Sequence, residues 1–280
     1  MIELSRVGLG TNNFGRRIDF ERSRDVVDAA LAAGVTHLDT ADIYGGGDSE
    51  RFIGEILEGR RDAAVIATKF GMGGGDGTPP YVRRAIDASL GRLRSDHVDL
   101  FYYHRPDGST QIAETVGAMQ ELVEAGKVRR LGVSNVDAAQ LHEAVATASI
   151  AVVQNQYSLL DRGAERDVLP VCAELGVGFV PYFPLASGLL TGKYRRGQSA
   201  PSGSRLSGRP IDDETYDRLD TLDRFARDHG RSLLELAIGA LLSRPEVVSV
   251  IAGATTPEQV RANAAAGARP LTPDELAALG

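Results

Sequence analysis

THLDTADIYGGGDSERFIG, residues 36–54, begins as a strand and ends as a helix. Val35, His37 and Leu38 make a short apolar run that Asp39 stops; Tyr44 follows five positions later, then Gly45, Gly46 and Gly47, and Asp48 opens an amphipathic pattern. A strand, a glycine-rich turn and a helix in so few residues make the first part of a βαβ unit. The same alternation recurs along the chain, and that recurrence decides the fold. Apolar, β-branched runs at 6–10, 35–39, 64–69, 98–104, 130–134, 151–155, 178–182 and 247–251 give eight candidate strands. Helical windows lie at 21–33, 48–58, 80–93, 111–125, 137–146, 165–175, 213–243 (room for two helices) and 257–266. In the first, Val26, Val27, Ala30, Leu31 and Ala33 share a face, and Gly34 marks a C-terminal cap. Alternating strands and helices imply right-handed crossovers and a parallel sheet. Eight units in about 250 residues match a closed (β/α)8 barrel. An open doubly wound sheet is the rival, but the first strand–helix turn, GLGTNNFG, lacks the glycine spacing such sheets use for dinucleotides. No linker divides the chain, so residues 1–280 are expected to form one α/β domain, a (β/α)8 TIM barrel.

Composition narrows the function. The 280 residues carry 31 basic and 38 acidic side chains, a net charge of −7, which argues against a nucleic-acid surface or an anionic membrane as partner. The one cysteine, Cys172, excludes an internal disulfide and reads as a buried thiol in a helical pattern. MIELSRVGLG has no signal-peptide pattern and no apolar run reaches membrane-spanning length, so a soluble cytoplasmic protein is the expectation. Nothing in the sequence sets the oligomeric state.

Residues 183–211 break the rhythm with a long stretch of neither strand nor helix. It contains no Asp or Glu but carries Lys193, Arg195, Arg196, Arg205 and Arg209. That local charge reversal fits an anionic ligand such as a pyrophosphate, or else a mobile surface loop.

In a (β/α)8 barrel the C-terminal strand ends and the following loops build the active site. Those positions hold Asp39 with Tyr44 beyond it, Lys69, His104, Ser134 with Asn135, Gln154 and Tyr182. Each has an ordinary structural use taken singly; four titratable groups at consecutive strand ends point to one shared site. His37, His97, His142 and His229 lack that positioning, and no histidine or carboxylate pair has metal-ligand spacing, so no catalytic metal is expected. A phenol titrates near 10 unperturbed, and an adjacent ammonium favours its phenolate. Lys69, held by Asp39, would therefore lower the pKa of Tyr44 and make it a better proton donor, with His104 orienting a carbonyl. The set protonates an oxygen but holds no reductant, so a hydride donor must bind beside it. Ser134, Asn135 and Gln154 have groups suited to a nicotinamide carboxamide, and Tyr182 a face for its ring.

With these residues assembled, the chain resembles the aldo-keto reductases over nearly its full length. The segments that carry the likeness are GLGTNNFG (8–15), HLDTADIYG (37–45), ATKFG (67–71), FYYHRPD (101–107), GKVRRLGVSN (126–135), VVQNQYSLLDR (152–162), PLASGLLTGKY (184–194) and IAGATTPEQVRAN (251–263). The resemblance implies reversible NADP(H)-dependent reduction of aldehydes or ketones, with a small-molecule carbonyl or sugar as substrate. It places the catalytic tetrad on Asp39, Tyr44, Lys69 and His104. It places cofactor contacts on Gly10, Thr11, Ser134, Asn135, Gln154 and Tyr182, and a pyrophosphate-covering loop on Leu185, Ser187, Gly188, Leu190 and Lys193. Gly253, Thr255, Gln259 and Asn263 fall at its adenosine end. There the sequence departs from the pattern: the cations that many members set against the 2′-phosphate are replaced by Gly253, Ala254, Thr255 and Gln259. NADPH is the cofactor the resemblance implies, with NADH the alternative. A plug hairpin ahead of the first strand and a long C-terminal pocket loop are expected to be short or absent, leaving a fairly open site, with Phe14, Phe70, Tyr81 and Arg105 as candidates to line it. Two other functions share these residues. One is a nucleotide-binding regulatory subunit resembling potassium-channel β-subunits, with little turnover. The other is an aldolase with Lys69 as Schiff-base nucleophile, which Asp39 opposes by holding that lysine charged.

Overall fold

The computed structural model describes residues 3–280. Eight strands form one parallel sheet: β1 Val7–Gly10, β2 His37–Asp39, β3 Val65–Phe70, β4 Val98–Tyr103, β5 Val128–Ser134, β6 Ile150–Gln154, β7 Gly178–Phe179 and β8 Val250–Gly253. They neighbour one another in chain order, with β8 beside β1. The ring closes between β7 and the run ahead of β8, where Phe179 bridges Val247 and the Ile251 N–H reaches the Pro181 carbonyl. The curled sheet is the (β/α)8 barrel expected from the alternation.

The helices are α1 Phe20–Ala32, α2 Asp48–Ile56, α3 Pro79–Leu93, α4 Ile112–Glu124, α5 Ala138–Thr147, α6 Val168–Leu175, α7 Asp213–Asp228, α8 Leu233–Leu242, α9 Pro257–Gly267 and α10 Pro273–Leu279. Local chemistry explains their ends. Asp19, Asp137, Ser232 and Thr272 each cap a helix through a side-chain oxygen, and Gly34 follows α1 at φ 75°. Where the structure differs from the sequence reading, turn chemistry is the cause. β7 is two residues long because Pro181 has no N–H and Phe183 takes a positive φ. β8 starts at Val250, its first ladder partner on β1, rather than at 247. α10, unexpected from sequence, is announced by a Thr272–Glu275 capping box. Inside the stretch 183–211 a 3₁₀ turn runs from Ala186 to Thr191. No helix of the described residues is long and apolar enough to cross a membrane.

Strand side chains alternate between two cores. The outer one packs strands against helices, with Val26, Val27, Ile53, Ile66, Phe101 and Met119 fully buried and Cys172 nearly so. Burial there pushes the Cys172 thiol up to about 12, as suits an inert packing group. The inner core is a layer of Ala67, Leu100, Tyr102, Val152, Val180 and Ile251. Tyr102 is fully buried in that layer because β5 offers Gly132 beside it: a Cβ there would sit 2.5 Å from the Tyr102 ring. This layer is the floor of the site.

Candidate active site

Two residues beyond the inner layer, the period of a strand brings the next inward side chains to the mouth. Lys69, His104, Gln154 and Tyr182 follow this step from Ala67, Tyr102, Val152 and Val180, while Asp39 and Ser134 are the last residues of β2 and β5, paired in register with Ala67 and Gln154. Lys69 is fully buried; its ammonium donates to Asp39 Oδ1 at 2.5 Å and to the Thr40 carbonyl at 2.7 Å. Gln154 Nε2 donates to the other Asp39 oxygen at 2.9 Å, so both lone-pair faces of the carboxylate are engaged. Tyr44 Oη lies 3.5 Å from Lys69 Nζ. Its ring stands edge-on to His104 at 6.0 Å, with the ammonium 5.0 Å from its centroid. Thr11, Ser49 and Thr40 join β1, α2 and β2 through hydroxyl hydrogen bonds of 2.8–2.9 Å.

The turn that returns Tyr44 over the mouth depends on its glycines. Gly45, Gly46 and Gly47 have φ of 59°, 67° and 95°, and a Cβ at Gly45 would lie 2.5 Å from the Phe14 carbonyl oxygen. α2 starts at Asp48, as the sequence pattern suggests, with Gly47 as its N-cap.

Burial sets the charges. It pulls Lys69 down, but Asp39 and Tyr44 outweigh it, so the ammonium persists with its pKa above the ordinary value. Burial also raises Tyr44, more than Lys69 lowers it. The expected depression of the phenol is therefore absent from the free chain: desolvation exceeds the ion's field, and Tyr44 rests fully protonated. His104 is lowered to about 3 by burial, then by Lys69 and Arg105, and is a neutral imidazole with its Nδ1 unpartnered among the described residues. Of the other histidines, His37 is lowered to about 4 by burial and hydrogen-bonds Ser249. Behind the tetrad lies a charged cluster that the sequence reading missed. Fully buried Glu50 accepts from Thr68 at 2.5 Å and from Arg92 at 2.6 Å. Burial, then Glu50, raises Asp42 to about 7. Glu50 looks like a solvated first-turn acid in sequence, and its partner is 42 residues away.

The mouth opens into a cavity of about 710 Å³. It runs from Asp39, Tyr44 and His104, past Gly10, Thr11, Asn135, Gln154 and Tyr182, to Gly253, Thr255, Gln259 and Asn263 at β8 and the start of α9. Leu185, Ser187, Gly188 and Lys193 line its cover. Two expected contacts do not present side chains to it. Leu190 is buried against Leu159, Leu219 and Leu236, because the 3₁₀ turn packs on α7 and α8. Ser134 is turned under the rim, donating to the Gln154 carbonyl at 2.6 Å and accepting from Asn135 at 3.1 Å. Lys69 does not line the cavity either, being fully buried against Asp39 and Tyr44. Phe14 and Phe70 belong to the outer core, and Ile43, Met72 and Phe183 line the opening in their stead. Of the loop cations, Lys193 and Arg205 line the cavity while Arg196 is bound to Asp213 and Asp217 on α7. Arg17, missed in the sequence, is a third: it donates to the Gly203 carbonyl, and Arg205 to Asn13, fastening the loop across the cavity.

The Aldo/keto reductase family model matches residues 6–280. The chain belongs to the aldo/keto reductase family. It is an aldo-keto reductase similar to a glycerol dehydrogenase from Gluconobacter oxydans, with 31% identity and a TM-score of 0.88 over 99% of this chain and 90% of that one. An aldo-keto reductase from Klebsiella pneumoniae solved in complex with NADPH gives 30% identity and a TM-score of 0.79 over 100% and 94%. The NADH-specific methylglyoxal reductase of Escherichia coli is 34% identical over 95% of this chain and 90% of its own length.

Proposed function

We propose that the chain reduces aldehydes or ketones with Tyr44 as proton donor. The observation that carries this reading is one protonated phenol on the cavity wall, 3.5 Å from the ammonium of a buried Lys69–Asp39 pair and edge-on to a neutral His104. A nicotinamide dinucleotide suits the rest of the cavity: three cations beside its middle, Arg17, Lys193 and Arg205, and an adenosine end at the start of α9. When bound, the reduced nicotinamide supplies the hydride. His104 donates a hydrogen bond to the carbonyl oxygen, and Tyr44 Oη gives that oxygen its proton as negative charge develops. Lys69 stabilises the phenolate left behind, and Asp39, with no free oxygen, keeps Lys69 charged and in place. Gln154 retains its acceptor oxygen for the carboxamide and Asn135 one lone pair on an oxygen that already accepts from the Tyr182 hydroxyl, which holds Tyr182 as a stacking face.

Tyr44→Phe tests the assignment. Carbonyl reduction is expected to fall about 100- to 10,000-fold in kcat, with dinucleotide affinity nearly unchanged by fluorescence titration. A variant retaining most of its activity overturns it, and a parent chain that binds nucleotide but turns over no carbonyl restores the regulatory-subunit reading.

On the cofactor, the adenosine end supports a broader reading than NADPH alone. Neither β8 nor α9 puts a cation on the cavity: Arg261 faces Glu258, and the Gln259 side-chain oxygen is taken by Thr255. A 2′-phosphate would meet hydroxyls, an amide and a helix N-terminus, which favour it without strongly selecting it. We expect NADPH and NADH to serve within tenfold of each other in kcat/KM. A larger preference for either, measured on one carbonyl substrate, would refute this.

A further inference from the structure

Beyond the Tyr44–His104 end, a second and shallower cavity of about 660 Å³ extends over the tips of β5 and β6. The two cavities share Arg105, Asn135, Gln156 and Tyr182 as a common wall. Nearly every polar group at this junction is already engaged. Asn135 donates to the His104 carbonyl at 2.9 Å and accepts from Tyr182 at 2.7 Å, and Gln156 donates to Asp161 at 2.7 Å. Farther out, Asn155 is tied to the Val136 backbone and Gln140 to that of Asp137.

Arg105 differs. It follows His104 directly, is exposed, and makes no hydrogen bond or ion pair among the described residues. The acids of the second cavity, Asp137, Asp161 and Asp167, leave it unpaired. It lines the same cavity as Tyr44, His104 and Tyr182, and its charge reaches both the His104 imidazole and the Tyr182 phenol. A guanidinium keeps its charge at any working pH, and its planar fork matches an oxyanion bidentately.

We propose that Arg105 selects carbonyl substrates that carry a second, anionic group, a carboxylate or phosphate, held at the shared wall while the carbonyl oxygen faces Tyr44 and His104. This rests on the carbonyl-reductase reading. Arg105 takes no part in proton or hydride transfer; it fixes the substrate's far end, so its contribution belongs in KM and in the choice between substrates.

The test uses the full chain with saturating reduced nicotinamide and two matched pairs. 4-Carboxybenzaldehyde is compared with its neutral methyl ester, and glyceraldehyde 3-phosphate with glyceraldehyde. At low ionic strength the anionic member of at least one pair is expected to lead by tenfold or more in kcat/KM. Which pair responds identifies the anion. The lead should shrink with added salt, fall to within twofold of unity in Arg105→Gln, and survive in part in Arg105→Lys. A ratio near one in both pairs, or an Arg105→Gln variant that scales every substrate alike, overturns the proposal. Turnover of no carbonyl at all removes the reductase reading and this inference with it.

Discussion

Asp39 accepts from Lys69 on one oxygen and from Gln154 on the other, so both oxygens are occupied in holding those two side chains. Asp39→Asn would leave a fully buried ammonium with only the Thr40 carbonyl and the Tyr44 phenol. Breaking a buried pair from one side costs about 3–5 kcal/mol, and without Asp39 the burial that already pulls Lys69 down loses its main opponent. Thermal melts should show that loss of stability, and kcat should fall with its basic limb moved to lower pH. An unmoved limb would show that Asp39 does not keep Lys69 charged. Asp39, Lys69 and His104 were legible as one cluster because a strand's period carries side chains at fixed steps to one rim, and Tyr44 because the glycine turn that follows it can bring the chain back over that rim. Asp42 and Glu50 were not: their state depends on burial against Arg92, a contact made only when α2 packs on α3.

Among the elements, β4 and β5 show how the floor of the site is built. Tyr102 fills the inner layer because Gly132 leaves it room. Gly132→Ala is expected to lower the urea midpoint by an amount matching about 1–3 kcal/mol, the usual cost of overpacking. An unchanged midpoint would mean that β5 can shift away from the ring. Most elements could be read from period and caps. β7 could not, since Pro181 cuts its ladder short and the sheet closes instead through the residues ahead of β8. The loop cations were legible as a group but not individually. Sequence could not say that Arg196 turns back to α7 while Arg17 crosses to Gly203, because the Asp213 and Asp217 carboxylates and the Gly203 carbonyl lie far along the chain and are brought near only by the fold.

For the molecule as a whole, the buried histidines set an acid limit. His37 and His104, lowered to about 4 and about 3, stay neutral when folded but protonate below about 6.5 in the unfolded chain. The unfolded state then binds more protons, so stability falls as pH drops from 6.5 toward 4. Asp42, raised to about 7, acts the other way, its ionisation above about 4 in the unfolded chain favouring unfolding up to pH 7. Two groups against one leave a net loss on acidification of about 1.4 kcal/mol per pH unit at most. Denaturant titrations between pH 4.5 and 7 should show it, and Asp42→Asn should steepen it. A parent chain that gains stability in acid would contradict the burial of neutral imidazoles.

The inner layer and the step above it also bear on how such a protein diversifies. Asp39 and Lys69 stand on strand ends fixed by the packing beneath them and His104 directly follows one, whereas the opening is lined from loops by Ile43, Met72, Arg105 and Phe183. Mutations therefore divide by depth: those in the layer are purged for folding, those on the strand tips for chemistry, and those in the loops are free to drift. A gene library confined to the loops would explore new substrates without spending the fold, and descendants with little loop sequence in common would still share one reaction.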